Sequence, residues 1–221
     1  MRRAFIFDFD GTLVDSERHY QHIIPRVFEA LSDAQWTEED QKKMVGISAA
    51  GGHRIFVEDY GIDVTFARYV ELLEYHAEDF YRHRIGLMPG ALACIERLAI
   101  AGLPMAIASS NREPFIRLAL KRMGIEHHFP VISSSDDVAP DRAKPEPDIY
   151  LLAAKRLGLS PRECIAVEDS IPGITSAKTA GMFCIAMRTE FNQGIDLTKA
   201  DVELASFDDL DPVAVAWLGL R

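Results

Sequence analysis

The 221-residue chain carries 24 Lys and Arg against 34 Asp and Glu, a net charge of −10. Such a field repels nucleic acid and anionic lipid, so neither is expected as a partner, and an anionic substrate would need a metal ion or a few placed basic residues to hold it. Apolar residues make up 48%, enough for a real core without disulfide or metal staples, while no stretch reaches the roughly 18 apolar residues of a membrane helix.

The chain begins Met1-Arg2-Arg3-Ala4-Phe5-Ile6-Phe7-Asp8. Acid at Asp8 and Asp10 interrupts the apolar run too early for a secretory leader, so a cytoplasmic protein is expected. Cys94, Cys164 and Cys184 agree with this. They are odd in number, lie in apolar surroundings and lack ligand spacing, which fits buried reduced thiols. A monomer or weak dimer is expected.

Residues 3–8 read as a short buried strand that stops at a loop. Residues 16–85 are charged and helical in period. Ile23, Ile24, Val27, Phe28 and Leu31 fall on one helix face. Thr37 with Asp40 resembles a helix start, and Phe66, Tyr69, Val70, Leu73, Phe80 and Tyr81 mark a helix over 66–83. No strand is expected in this stretch. Trp36 and Trp217 read as packing residues.

At Met88-Pro89-Gly90 the pattern changes. Helices are predicted over 90–101, 112–123, 147–157 and 171–180, closed by Gly102, Gly124, Gly158 and Gly181. Strands are predicted over 104–108, 129–132, 164–167 and 182–186. This alternation implies an α/β fold, a doubly wound, Rossmann-like parallel sheet, with ligands at the carboxyl ends of its strands. The first strand belongs to that sheet. The expected organisation is therefore a core of residues 1–14 and 89–221, interrupted by an inserted helical domain of residues 15–88.

The chemistry is concentrated at the predicted strand ends. Asp8 and Asp10, in Asp8-Phe9-Asp10-Gly11-Thr12, start on one side of an extended chain. Two carboxylates so close repel unless a cation neutralises them or one is protonated. Ser109-Ser110-Asn111 follows the strand 104–108 and leads into a helix whose N–H groups can hold an anion, although for this piece alone simple capping is the better explanation. Lys144 lies in Arg142-Ala143-Lys144-Pro145-Glu146-Pro147, and Glu168-Asp169 follows the strand 164–167. Each feature alone has a bland explanation, a solvated lysine or a capping acid. Their joint placement at strand ends points to phosphoryl transfer. Asp8, Glu168 and Asp169 offer hard oxygen ligands suited to Mg2+ rather than zinc. Lys144 would offset the acids and hold a phosphate near Asp8. Asp8 is placed to attack phosphorus and Asp10 to protonate the leaving oxygen and activate water.

The set Asp8-Phe9-Asp10-Gly11-Thr12, Ser109, Lys144 and Glu168-Asp169 resembles the haloacid dehalogenase superfamily. Asp15-Ser16-Glu17, the helical insertion and Val167-Glu168-Asp169-Ser170-Ile171-Pro172-Gly173-Ile174 resemble its β-phosphoglucomutase-like branch. The resemblance implies Asp8 as nucleophile and Asp10 as general acid/base, with Asp8, the Asp10 backbone carbonyl, Asp169 and Glu168 around Mg2+. It implies that Ser109 and Lys144 bind the phosphoryl group, beside Ser110, and that the insertion is a mobile cap. Asp10 argues against dehalogenase and phosphonate-cleaving relatives. Related mutases carry an Arg shortly after a Val-Gly pair, whereas Val45-Gly46-Ile47-Ser48 is followed here by Ala49-Ala50-Gly51-Gly52. That departure favours a phosphatase of a small phosphate ester, sugar- or polyol-phosphate in type. The alternatives are a phosphosugar mutase and a phosphometabolite-binding protein without turnover, the latter opposed by the leaving-group acid. The resemblance places residues 46–54 at the cap edge. The four small residues there read as a flexible loop. His53 and Arg54, its polar groups able to reach a substrate as donors, are the expected specificity residues and could also stand in for the missing arginine.

Overall fold

The computed structural model describes residues 4–44 and 49–210. Met1–Arg3, Val45–Ser48 and Trp217 lie outside them. The chain divides into two compact units, Met1–Asp15 with Gly86–Arg221, and Ser16–Ile85.

The first unit is built on six parallel strands in the order β3-β2-β1-β4-β5-β6: β1 (Ala4–Phe7), β2 (Met105–Ala108), β3 (Val131–Ser133), β4 (Cys164–Glu168), β5 (Phe183–Met187) and β6 (Val202–Leu204). All β1, β2 and β4 residues are buried, which is why they read as unbroken apolar runs rather than as alternation. Along β1, Ala4 and Ile6 face a cluster containing Ala106, Ala166, Ile149, Ala153 and Ile174. Phe5 and Phe7 take the opposite face by the period of two, and the Phe129 ring meets Phe7 edge-on at 6.1 Å. The small residues of the first face let the helices α7 (Asp148–Arg156) and α8 (Ile171–Thr179) approach the sheet closely.

Among the described residues, the other α-helices of this unit are α5 (Ala91–Ile100) and α6 (Glu113–Arg122). The glycines expected to close the helices do so, with φ of 68°, 73°, 71° and 84° at Gly102, Gly124, Gly158 and Gly181. Strand order reverses around β1. The chain runs outward through β2 and β3 on one side and through β4, β5 and β6 on the other, which puts the β1 carboxyl end at the crevice where such sheets bind ligands. Strand β6 has no counterpart in the sequence reading. It is only three residues long and none of them is buried, so it carries no apolar run to announce it. Phe129, assigned to a strand from sequence, precedes β3 and serves as a plug.

The second unit is helical: α1 (Glu17–Leu31), α2 (Glu38–Lys43), α3 (Ala49–Glu58) and α4 (Phe66–His83). Phe28, Trp36, Phe56 and Tyr60 pack at centroid distances of 4.9 to 6.3 Å. Thr37 and Asp40 bond each other reciprocally, Thr37 N to Asp40 Oδ2 at 3.0 Å and Asp40 N to Thr37 Oγ1 at 3.3 Å, the helix start expected from their spacing.

The expected flexible loop over 46–54 is corrected. From Ala49 onward the segment is helix α3, and residues 45–48 lie outside the described ones. The glycines there permit contact rather than slack. A Cβ at Gly52 would stand 2.5 Å from the Tyr69 hydroxyl oxygen and 2.8 Å from Met44 Cε, and Tyr69 is 1% exposed. Gly52→Ala should therefore destabilise the protein although alanine is the better helix former. About 1 kcal/mol of propensity is gained against about 1–3 kcal/mol of overpacking. Urea unfolding should show a lower midpoint; a higher one would show that α3 does not pack this closely on α4.

Candidate active site

The carboxyl ends of β1, β2 and β4 bring the sequence-selected residues of the first unit together. Asp8 follows β1 directly, and its N–H donates to the Val167 carbonyl at 2.9 Å, so it stands beside Glu168, the last residue of β4. Lys144 arrives from the loop before α7. Its side chain is 6% exposed, and Nζ donates to Asp8 Oδ1 at 2.5 Å and to Glu168 Oε1 at 2.6 Å. The same ammonium lies 5.1 Å from the centre of the Tyr150 ring.

Burial pushes the Asp8 carboxyl well above its ordinary value, and the neighbouring Glu168 and Asp169 push the same way; Lys144 opposes them. Burial likewise works against the Lys144 charge, but Asp8 and Glu168 outweigh it and hold the ammonium above its usual value. Tyr150 stays a protonated donor, raised by burial and by Glu168.

Glu168 is fully buried, and its two oxygens are already used. Oε1 accepts from Lys144 and from the Tyr150 hydroxyl at 2.9 Å. Oε2 accepts from Asp169 N, Ser170 N and Ser170 Oγ at 3.1, 3.2 and 3.0 Å. Those five bonds exceed the four lone-pair sites of a carboxylate. Among the described residues, oxygens of Asp8, Glu168 and Asp169 lie within 4.8 Å of one another and form a group able to hold a metal ion. Because Glu168 is saturated, Asp8 and Asp169 are the better placed to face a cation, while Glu168 holds Lys144 and the start of the next turn. An all-oxygen donor set suits a hard divalent ion.

Two glycines make this packing possible. Gly11 has φ +80° and a Cβ there would stand 2.5 Å from Asp169 Oδ2; Thr12 Oγ1 next to it donates to Asp169 Oδ1 at 2.9 Å. At Gly173 a Cβ would fall 1.7 Å from Glu168 Oε1. Asp-Gly after β1 and the Pro172-Gly173 step of α8 are thus the places where the two acidic turns interlock.

Asp10 does not join the acidic cluster. Its Oδ2 accepts from Asn111 Nδ2 at 2.9 Å and from Ser109 Oγ at 3.4 Å, and Ser109 Oγ in turn accepts from Asn111 N at 3.0 Å. Ser109 is buried and Ser110 exposed. His53 and Arg54 belong to the helical unit. His53 Nε2 contacts the Val64 carbonyl oxygen at 2.8 Å and its ring packs on Phe66 and Tyr69, whereas Arg54 is exposed. Sequence reasoning missed Tyr150 and the grip of Asn111 on Asp10. A tyrosine on the apolar face of a helix, whose buried hydroxyl must find a partner, was the available signal for the first.

A family model described as haloacid dehalogenase-like hydrolase matches residues 5–187, and the chain belongs to that family and is a hydrolase. It is 34% identical to hexitol phosphatase A of Escherichia coli, over 94% of this chain and 93% of that protein. It is 32% identical to the protein CbbY of Rhodobacter capsulatus, over 90% and 91%. Among solved structures, CbbY from Rhodobacter sphaeroides in complex with xylulose-1,5-bisphosphate superposes with a TM-score of 0.78 at 28% identity, covering 95% of this chain and 96% of that one.

The close approach at Gly173 gives a test of how the site is held. Gly173→Ala should lower stability by about 3 kcal/mol and impair turnover, because the methyl group takes the place of the Glu168 carboxylate that anchors Lys144. Chemical denaturation and kcat/KM measured together check this; wild-type values of both would show that Glu168 is free to move aside.

Proposed function

We propose that this hydrolase is a Mg2+-dependent phosphatase of a small phosphorylated sugar or polyol, acting through an aspartyl-phosphate on Asp8. The observation that carries the reading is Lys144, lodged between Asp8 Oδ1 and Glu168 Oε1. One ammonium set among three acids opposes the rise of the Asp8 carboxyl without cancelling it. Acid therefore outnumbers base here, and a divalent cation would supply the remaining charge that favours an ionised, attacking Asp8. Asp8 and Asp169 would hold that ion, with the Asp10 backbone carbonyl as the family resemblance implies. When bound, Mg2+ supplies positive charge that lets a phosphate dianion approach these acids.

In this reading Lys144, Ser109 and Ser110 bind the phosphoryl oxygens. Asp8 Oδ2, the oxygen turned away from Lys144, attacks phosphorus; the ester P–O bond breaks and Asp10 gives its proton to the leaving oxygen. Asp10 next takes a proton from water as the water oxygen attacks phosphorus. The bond to Asp8 breaks, inorganic phosphate leaves, and Asp8 is a carboxylate again. Asn111 keeps Asp10 aimed through both halves, because the single hydroxyl hydrogen of Ser109 goes to the phosphoryl group. Catalysis of this kind is mostly positioning and electrostatics. The hexitol phosphatase and the sugar-bisphosphate complex among the relatives support the substrate class, and Ala49 at the mutase arginine position supports hydrolysis over phosphate return.

A panel of sugar and polyol phosphates, with p-nitrophenyl phosphate beside it, should show phosphate release, and β-glucose 1-phosphate with glucose 1,6-bisphosphate should show no isomerisation. Isomerisation faster than hydrolysis would overturn the phosphatase reading. Asp8→Asn should retain the fold and lose at least about 10⁴-fold in turnover; a variant close to wild type would remove Asp8 from its role. Chelation by EDTA should abolish activity and Mg2+ restore it. Ca2+ should inhibit, since its bonds of about 2.3–2.6 Å and looser geometry misplace the nucleophile. Undiminished activity in EDTA would contradict the oxygen-ligand site.

A further inference from the structure

The segment after β5 contains a buried side chain that ties two strand ends together. Asn192 is 4% exposed. Its Nδ2 donates to the Asp169 carbonyl and to the Met187 carbonyl, both at 2.9 Å, and its Oδ1 accepts from Thr189 N at 2.9 Å. Both amide hydrogens are committed, and the partners fix the orientation, since a flipped amide would set its oxygen against two carbonyl oxygens.

The segment is itself braced. Arg188 donates through Nη1 to the Asn192 carbonyl at 2.6 Å and to the Ile195 carbonyl at 2.9 Å. Its Nε and Nη2 clasp Glu203 of β6 at 2.9 and 2.7 Å. A continuous path of hydrogen bonds therefore runs from the edge strand, through Glu203, Arg188 and Asn192, to the backbone of Asp169. On the opposite side Thr12 holds the Asp169 side chain and Glu168 holds its N–H. Asn192 fixes the one remaining backbone polar group, the carbonyl.

We propose that Asn192 is a positioning residue for the metal site. By pinning the Asp169 carbonyl it sets the tilt of that peptide, and with it the direction of the carboxylate, while Arg188 and Glu203 keep the pinning segment in place. This inference rests on the reading of Asp169 as a metal ligand. Partners that orient a ligand in this way are worth about 10–100-fold in metal affinity. They do so without touching the substrate, so the effect belongs on cation binding rather than on the chemical step.

The test is calorimetric titration of Mg2+ into four folded variants of the full chain, with the Mg2+ dependence of turnover as a second readout. Asn192→Ala should weaken Mg2+ binding by about 10–100-fold, with kcat at saturating Mg2+ reduced by a smaller factor. Glu203→Gln should shift affinity in the same direction by less. Asp201→Asn is the matched control. Asp201 accepts from Cys184 N at 2.7 Å and from Lys178 at 2.6 Å, bonds that are no part of the path through Asn192, so its loss should lower the melting temperature and leave Mg2+ affinity unchanged. Folded Asn192→Ala with wild-type affinity overturns the proposal. Should that variant not fold, Glu203→Gln decides, and unchanged affinity there overturns it equally. Asp169→Ala separates the two levels: its failure to weaken Mg2+ binding would bring down the metal site itself, whereas weakening by Asp169→Ala alone removes only the role of Asn192.

Discussion

The contact between the Lys144 ammonium and the carboxylates of Asp8 and Glu168 is the constraint on which the rest of the core depends. All three side chains are less than a tenth exposed, so none can be satisfied by water. Removing the lysine from such a buried group leaves two carboxylates uncompensated and costs about 3–5 kcal/mol. The surroundings are accordingly specialised. Tyr150 and the Ser170 turn fill the other acceptor positions of Glu168, and Gly173 clears the volume that the Glu168 carboxylate occupies. Chemistry follows from the same arithmetic. A cluster with more acid than base, in a protein of net charge −10, forms a group able to hold a metal ion, and in the proposed mechanism that cation is what lets a phosphate approach.

The sheet makes this arrangement inexpensive. Parallel strands end together, and the register Phe7 to Val167 sets Asp8 beside Glu168 with no long loop to order. Strand β2 on the other side delivers Ser109 and Asn111 to Asp10. The two acids of the first turn thus receive different environments. Asp8 faces a lysine and two carboxylates, whereas Asp10 faces an amide and a hydroxyl. Different surroundings for two nearby carboxylates support the proposed division of labour, in which one attacks and the other transfers a proton.

Much of this was legible because strand ends carry their chemistry in short, local runs. Asp8, Asp10, Lys144, Glu168 and Asp169 each stand next to an apolar segment or a Pro-rich loop, and their spacing along the chain matches the alternation of strands and helices. What escaped was built from distance. Tyr150 looks like one more apolar residue of α7 until its hydroxyl is seen on Glu168, 18 positions away. Asn192 lies in a polar stretch, and its partner Asp169 is 23 residues back. Strand β6 is too short and too exposed to show a pattern. The small residues at 49–52 suggested slack because glycine is a poor helix former; the structure uses Gly52 for a close helix contact, a tertiary demand that local propensity does not record.

The central claim, that Asp8 carries the phosphoryl group between its two transfers, is tested most directly by acid-quenching the enzyme during turnover of a phosphate ester labelled on phosphorus and mapping the labelled peptide. The account predicts label in the peptide that contains Asp8, bound as an acyl phosphate that hydroxylamine releases. Label on another residue, or none at any time during active turnover, would contradict it.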